Sequence, residues 1–153
     1  MRWEGDACLL DAIGRVTQAQ AYYDPDSYRR FISPQKNWVQ QTFGRRLCAN
    51  ANARTPVAIV NPALGAGLGL SVRYDPKTLP RYIEWRMMGE GQYAVGMEPC
   101  SNGFGREETR RRGELIELAP GASRQYEIEI GVLDGPEEIA AFRAEVENAR
   151  PSA

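Results

Sequence analysis

Apolar side chains recur at every second position through much of the second half of the chain, the period of a strand that turns one face to a core. In the run from Leu68 to Tyr74, residues Leu68, Leu70, Val72 and Tyr74 share one face, and Asp75-Pro76-Lys77-Thr78 then turns the chain. The next run sets Ile83, Trp85 and Met87 on one side and Tyr82, Glu84 and Arg86 on the other. The first set is expected to face the core, with Trp85 a core residue. Gly89-Glu90-Gly91 supplies a reversal, and Tyr93, Val95 and Met97 form a third apolar face. A fourth alternation, Tyr126, Ile128, Ile130 and Val132 against Gln125, Glu127 and Glu129, follows the turn signal Ala119-Pro120-Gly121-Ala122. Val57 to Asn61 reads as another short strand, ended by Pro62.

Helical spacing is confined to the C-terminus. Asp134-Gly135-Pro136-Glu137 has the form of a helix start, and Ile139, Phe142 and Val146 then fall on one face that would pack on the sheet. The stretch Gln18–Ser33 is polar, rich in tyrosine and irregular, and is read as a long loop. These elements predict a mostly β protein, an antiparallel β-sandwich with a short C-terminal helix. The expected organisation is a single partial sandwich domain over 1–153: an irregular lead-in over 1–37, sheet over 38–133 and helix over 134–148. Because the clear strands begin late, an apolar face or sheet edge is expected to lie uncovered, which calls for a partner chain or a homo-oligomer.

Composition narrows the function classes. Of 153 residues, 42% are hydrophobic and 25% charged, ordinary for a globular protein. The net charge is −1, so no field of one sign draws the chain to nucleic acid or an acidic membrane, and neither partner is expected. The apolar cluster Ala7–Leu10 is cut off by Asp11, too short for an export signal or a membrane span, and a cytoplasmic location is expected. Cys8, Cys48 and Cys100 are widely spaced and form no CxxC pair, so they read as reduced thiols rather than metal ligands. The chain contains no histidine, which removes imidazole acid–base chemistry, Ser-His and Cys-His nucleophiles and histidine-ligated metals from its own repertoire.

Candidate chemistry centres on Gln92-Tyr93-Ala94-Val95-Gly96-Met97-Glu98-Pro99. Alternation puts Ala94, Gly96 and Glu98 together, so a carboxylate stands on a face left bare by small residues, with room beside it for a ligand. Pro99 is expected to end the strand and leave Glu98 at its rim. A solvent-facing glutamate with no task is the plainer reading of the same pattern. The loop Cys100-Ser101-Asn102-Gly103-Phe104-Gly105-Arg106 offers amide and guanidinium groups for hydroxyls and a ring for stacking. Its two glycines lack the strand–helix context and the lysine of a phosphate loop. Arg110-Arg111-Arg112 follows Glu107-Glu108, so its charge is balanced locally and a solvated turn with ion pairs is expected.

In order, Val57-Ala58-Ile59-Val60-Asn61-Pro62, Gly67–Asp75, Leu79-Pro80, Glu84-Trp85-Arg86-Met87-Met88-Gly89-Glu90-Gly91 and Tyr93–Pro99, then Asn102, Gly105-Arg106, Gly113-Glu114-Leu115 and Leu118–Gly121, resemble the aldose 1-epimerase family. More narrowly they resemble a bacterial branch of that superfamily catalogued as a domain of unknown function, over roughly Cys8 to Phe142 and its C-terminal part only. The resemblance implies a galactose mutarotase-like sandwich that binds a monosaccharide in an open groove and an isomerase reaction, interconversion of α and β anomers. It implies no metal and no organic cofactor. Glu98 matches the family's carboxylate base, and Asn102, Arg106 and Arg45 are the candidate substrate-binding residues.

The departures carry equal weight. Similar proteins have a His-x-Asn-x-Gly segment ahead of a Pro-Leu-Leu run, where this chain has Arg2, Trp3, Glu4, Gly5 and Asp6 ahead of Leu9-Leu10-Asp11. They also have a Glu-Gln-Val-Phe-like strand with a histidine nearby, where this chain has Gln40-Gln41-Thr42-Phe43 with Arg45. Arginine does not release its proton near neutrality and cannot replace that acid. Three explanations stand: a fragment whose complement lies elsewhere, a degenerate relative that binds sugar without catalysis, or a tyrosine or water in place of the histidine. The first two are favoured jointly. The alternative class is a non-catalytic β-sandwich interaction module.

Overall fold

The computed structural model describes residues 8–11, 13–19, 29–103 and 105–149, with backbone alone over 8–19. Among the described residues, eight strands and two helices run in the order β1 (Cys8–Asp11), β2 (Ile13–Ala19), β3 (Gln41–Leu47), β4 (Thr55–Asn61), β5 (Leu68–Tyr74), β6 (Arg81–Gly89), β7 (Gln92–Cys100), α1 (Arg106–Arg111), β8 (Ile128–Asp134) and α2 (Pro136–Asn148). They form two four-stranded antiparallel sheets, β1-β4-β5-β8 and β2-β3-β6-β7. The fold is therefore mostly β, with a C-terminal helix.

Two apolar layers hold the elements together. Between the sheets, Phe43 and Tyr82 pack with Val57, Val72, Tyr74 and Leu79, and Leu47, Ile59 and Met97 close around them. On the far side of the first sheet, Ala58, Val60 and Leu133 meet Ile139, Phe142, Val146 and Ala149 of the C-terminal helical segment. That layer has an ionic edge. Arg73 bonds both Glu129 and Glu145 at 2.8 Å and lies over the Phe142 ring, so the helix is tied to the sheet by charge as well as by burial.

Several expectations change. The supposed irregular lead-in contains β1 and β2, and β2 reaches into the stretch read as a loop; residues 20–28 lie outside the described residues. Pro56 falls inside β4; among the described residues β1 pairs from Val57 onward, so Pro56 has a ladder neighbour on the β5 side alone, where a missing N–H is tolerated. Pro99 does not end β7 either, since β7 borders its sheet and runs to Cys100.

The largest change is in β6. Its buried face carries Tyr82, Glu84, Arg86 and Met88, whereas Ile83, Trp85 and Met87 are only half-buried. Trp85 is not a core residue: its indole N–H donates to the side-chain oxygen of Gln40 at 3.0 Å. Burial of Glu84 is possible because Arg45 of β3 reaches it at 2.6 Å and Arg86 at 3.3 Å. Paired guanidinium groups replace the water the carboxylate loses. The Arg86 side chain also donates to the carbonyl of Arg30 and lies over the Phe31 ring. Burial lowers its pKa from the ordinary arginine value, and the Glu84 charge opposes that shift.

Candidate functional site

Strand register fixes what shares the outer face of the second sheet. Gly44, Ile83 and Glu98 stand in one row across β3, β6 and β7, and Thr42, Trp85 and Gly96 in the next. Adjacent strands lie about 4.8 Å apart, so the glutamate stands one strand from Ile83 and two from Gly44. Small residues keep this face low around Glu98, with Gly96 and Ala94 on its own strand. Glu98 is exposed, and its carboxylate folds back over Gly96 into the volume a β-carbon there would occupy.

Ile83 and Gly44 also line a cavity of about 280 Å³, completed by Arg81, Thr109, Arg112 and Glu114 among others. Glu114 bridges two strands: it binds Arg46 of β3 at 3.2 Å and the Arg81 guanidinium of β6. The wall opposite the sheet is α1. It starts where Gly105 takes a φ of +79°, a conformation that favours glycine, and Thr109 donates its hydroxyl to the Gly105 carbonyl at 2.8 Å. The expected local ion pairs are present, with Glu107 on Arg110 and Glu108 on Arg111 and Arg112. The lining combines the charged groups of Arg81, Arg112, Glu108 and Glu114 with one aliphatic side chain, Ile83, a mixture of polar and apolar contacts usual in small-ligand sites.

The candidate residues separate. Glu98 faces solvent beside the row that enters the cavity. Asn102 is exposed just past β7, and its carbonyl lies 3.2 Å from the thiol of Cys100. Arg106 is the exposed first residue of α1. Arg45 contributes to the wall of the cavity, while its side chain is 1% exposed, bound to Glu84 and set against Phe43. Phe104, considered for stacking, lies outside the described residues. Arg81 and the role of Glu114 escaped sequence reading; the signals were Leu79-Pro80, which opens β6, and the Gly113-Glu114 pair.

Cys100 is paired in register with Arg81 and its pKa is pushed up to about 11, first by burial and then by the Glu98 charge. Such a thiol is a poor nucleophile at neutral pH. Among the described residues, no three Cys, Asp or Glu side chains gather as metal ligands do. Among them too, no helix is long and apolar enough to cross a membrane.

The two stacked antiparallel sheets, with a polar cavity on the outer face of one, have the galactose mutarotase-like sandwich fold. A crystal structure of a Klebsiella pneumoniae subsp. pneumoniae protein, provisionally assigned as an aldose 1-epimerase, superposes on 98% of this chain with a TM-score of 0.83 at 22% identity. The chain spans 40% of that protein. It belongs to the family described as domain of unknown function DUF4432, whose model matches residues 5–132. No curated protein matches it.

Proposed function

We propose that the outer face of β3, β6 and β7 binds a monosaccharide, with Glu98 as the carboxylate that takes the proton of the anomeric hydroxyl. The observation that carries this reading is the exposed carboxylate seated over Gly96, in the same row as Ile83 and Gly44 of the cavity. The epimerase-like fold supports the sugar class, and the neighbour's assignment suggests the reaction. Asn102 and Arg106 flank the base as hydroxyl ligands, and Arg81 and Glu114 join Arg45 at the cavity.

In that chemistry the base accepts the proton of the C1 hydroxyl, the bond from C1 to the ring oxygen breaks, and the ring oxygen gains a proton. Rotation about C1–C2 and the reverse steps close the ring on the other face. Proton donation to a leaving oxygen contributes roughly 10²–10⁴-fold. With no histidine in its sequence, this chain is expected to bind sugar without accelerating mutarotation. A second reading, a non-catalytic interaction module, is favoured by the exposed apolar residues of β5 and β8.

Titration of the labelled chain with a panel of monosaccharides, followed by NMR, tests the binding. Saturable shifts at Glu98, Asn102 and the residues around Arg81 support it, and their absence for every sugar in the panel overturns it. Polarimetry of fresh α-glucose and α-galactose tests the second point: acceleration above buffer that Glu98→Gln abolishes would show that the chain is not disabled by its lack of histidine.

A further inference from the structure

Sheet β1-β4-β5-β8 turns one face toward the other sheet, and that face is only partly covered. Val72 and Tyr74 are buried there, while Leu68, Leu70, Ile128, Ile130 and Val132 on the same face are not. Ile130 is 69% and Val132 64% exposed although they pair with Val72 and Leu70 of the neighbouring strand. The inter-sheet core thus runs out into solvent as a continuous apolar patch. Patches larger than a few hundred Å² are rare on monomeric proteins.

The patch adjoins an open edge, since among the described residues β8 has a hydrogen-bonding neighbour on one side only. β8 contains no proline, lysine or bulge, the devices that normally block an edge, and it pairs with β5 without a register shift. Ile128, Ile130, Val132 and the terminal Asp134 lie on one face, and Glu129, Gly131 and the buried Leu133 on the other.

We propose that this edge is a homodimer interface, in which β8 pairs antiparallel with β8 of a second copy and the two apolar patches merge. The sequence of the strand is complementary to itself. A twofold axis at Ile130 sets Ile128 opposite Val132 of the second copy, so the three apolar residues of the edge meet apolar partners, while Asp134 falls at the end of the strand opposite Tyr126. On the other face it sets Glu129 opposite Gly131, keeping the carboxylates apart, whereas an axis at Glu129 would oppose two like charges. The symmetric contact closes after two copies, uses the free backbone groups of both strands and removes the exposed isoleucines from water. This inference is independent of the sugar reading, because the edge and the cavity belong to different sheets.

Sedimentation velocity of the full chain across micromolar concentrations tests it. A monomer–dimer equilibrium is expected, shifted at least tenfold toward monomer by Ile130→Lys or Val132→Lys and left in place by Glu129→Gln. Ile130 is so exposed that the lysine variant should fold, which circular dichroism checks. In the unmodified chain, amide exchange at β8 should slow as concentration rises. A monomer at every concentration, a dimer that survives both lysine variants, or β8 exchange independent of concentration would overturn the proposal. The last two outcomes would point to another surface as the contact, and the first to a strand of a different polypeptide as the partner of this edge.

Discussion

The carboxylate of Glu98 occupies the space above Gly96, two positions earlier on β7, that a β-carbon at that glycine would fill. Gly96 has no positive φ, so conformation does not require a glycine there; only the carboxylate does. Gly96→Ala should therefore leave the sheet intact, or stabilise it by about 0.4–1 kcal/mol through the unfolded chain, while pushing the carboxylate away. Sugar affinity measured by NMR titration should fall about tenfold, as it should for Glu98→Gln, given that a hydrogen bond to a charged group contributes about 1.5–3 kcal/mol. A glycine-to-alanine variant that binds as the parent does would separate the seat of Glu98 from binding.

The Arg45–Glu84–Arg86 cluster has the opposite character. Glu84 is fully buried, and its removal leaves guanidinium groups between the sheets with their nearest countercharge gone. Glu84→Ala should cost roughly 3–5 kcal/mol in urea unfolding, while Glu98→Gln, a surface change, should stay within about 0.5 kcal/mol. Replacing Arg45 should also destabilise the fold.

That cluster also explains where sequence reading failed. Alternation located β5 at its observed ends and found β6, β7, β8 and α2 to within a few residues, because each has one strongly apolar face. It inverted β6, because both its faces are partly covered and the deeper one is polar. The partner that makes Glu84 buriable stands 39 positions away, and no local period shows it. The exposed position of Glu98 on β7 was legible because Ala94 and Gly96 mark a bare face within its own strand. Arg81, Arg112 and Glu114 were not, since the turn that brings α1 over β6 joins segments far apart in the chain. The short α1 and the strands before Gln41 carry too little periodicity to be seen.

Gly69 sits where the first sheet is squeezed against α2. A β-carbon there would stand 2.9 Å from Val60 Cγ1 and 3.1 Å from both Leu133 Cδ1 and the Ile59 carbonyl. The carbonyl belongs to a paired strand and cannot yield. Gly69→Ala should cost about 1–3 kcal/mol by overpacking, read as a lower urea midpoint, even though alanine suits strands no worse than glycine. An unchanged midpoint would mean that β4 and β5 lie further apart than described.

Cys100 offers a way to locate Glu98 with no sugar present. Its pKa rises from 9.0 to about 11, with burial the main cause and the Glu98 charge the next. Only the thiolate reacts with iodoacetamide, so at pH 8 alkylation of Cys100 in the folded chain should run roughly one to two powers of ten slower than after unfolding. The same shift sets a pH dependence of stability. The unfolded chain gives up this proton near pH 9 and the folded chain holds it to about pH 11, so the contribution is whole below pH 9 and is lost as pH climbs through that window. Glu98→Gln removes the second cause and should lower the thiol pKa, speeding its alkylation measured by peptide mass mapping. If the rate does not change, the carboxylate is not beside Cys100, and the row that joins it to the cavity is lost with it. If the rate rises while sugars give no shifts, Glu98 stands where described and the binding proposal alone fails.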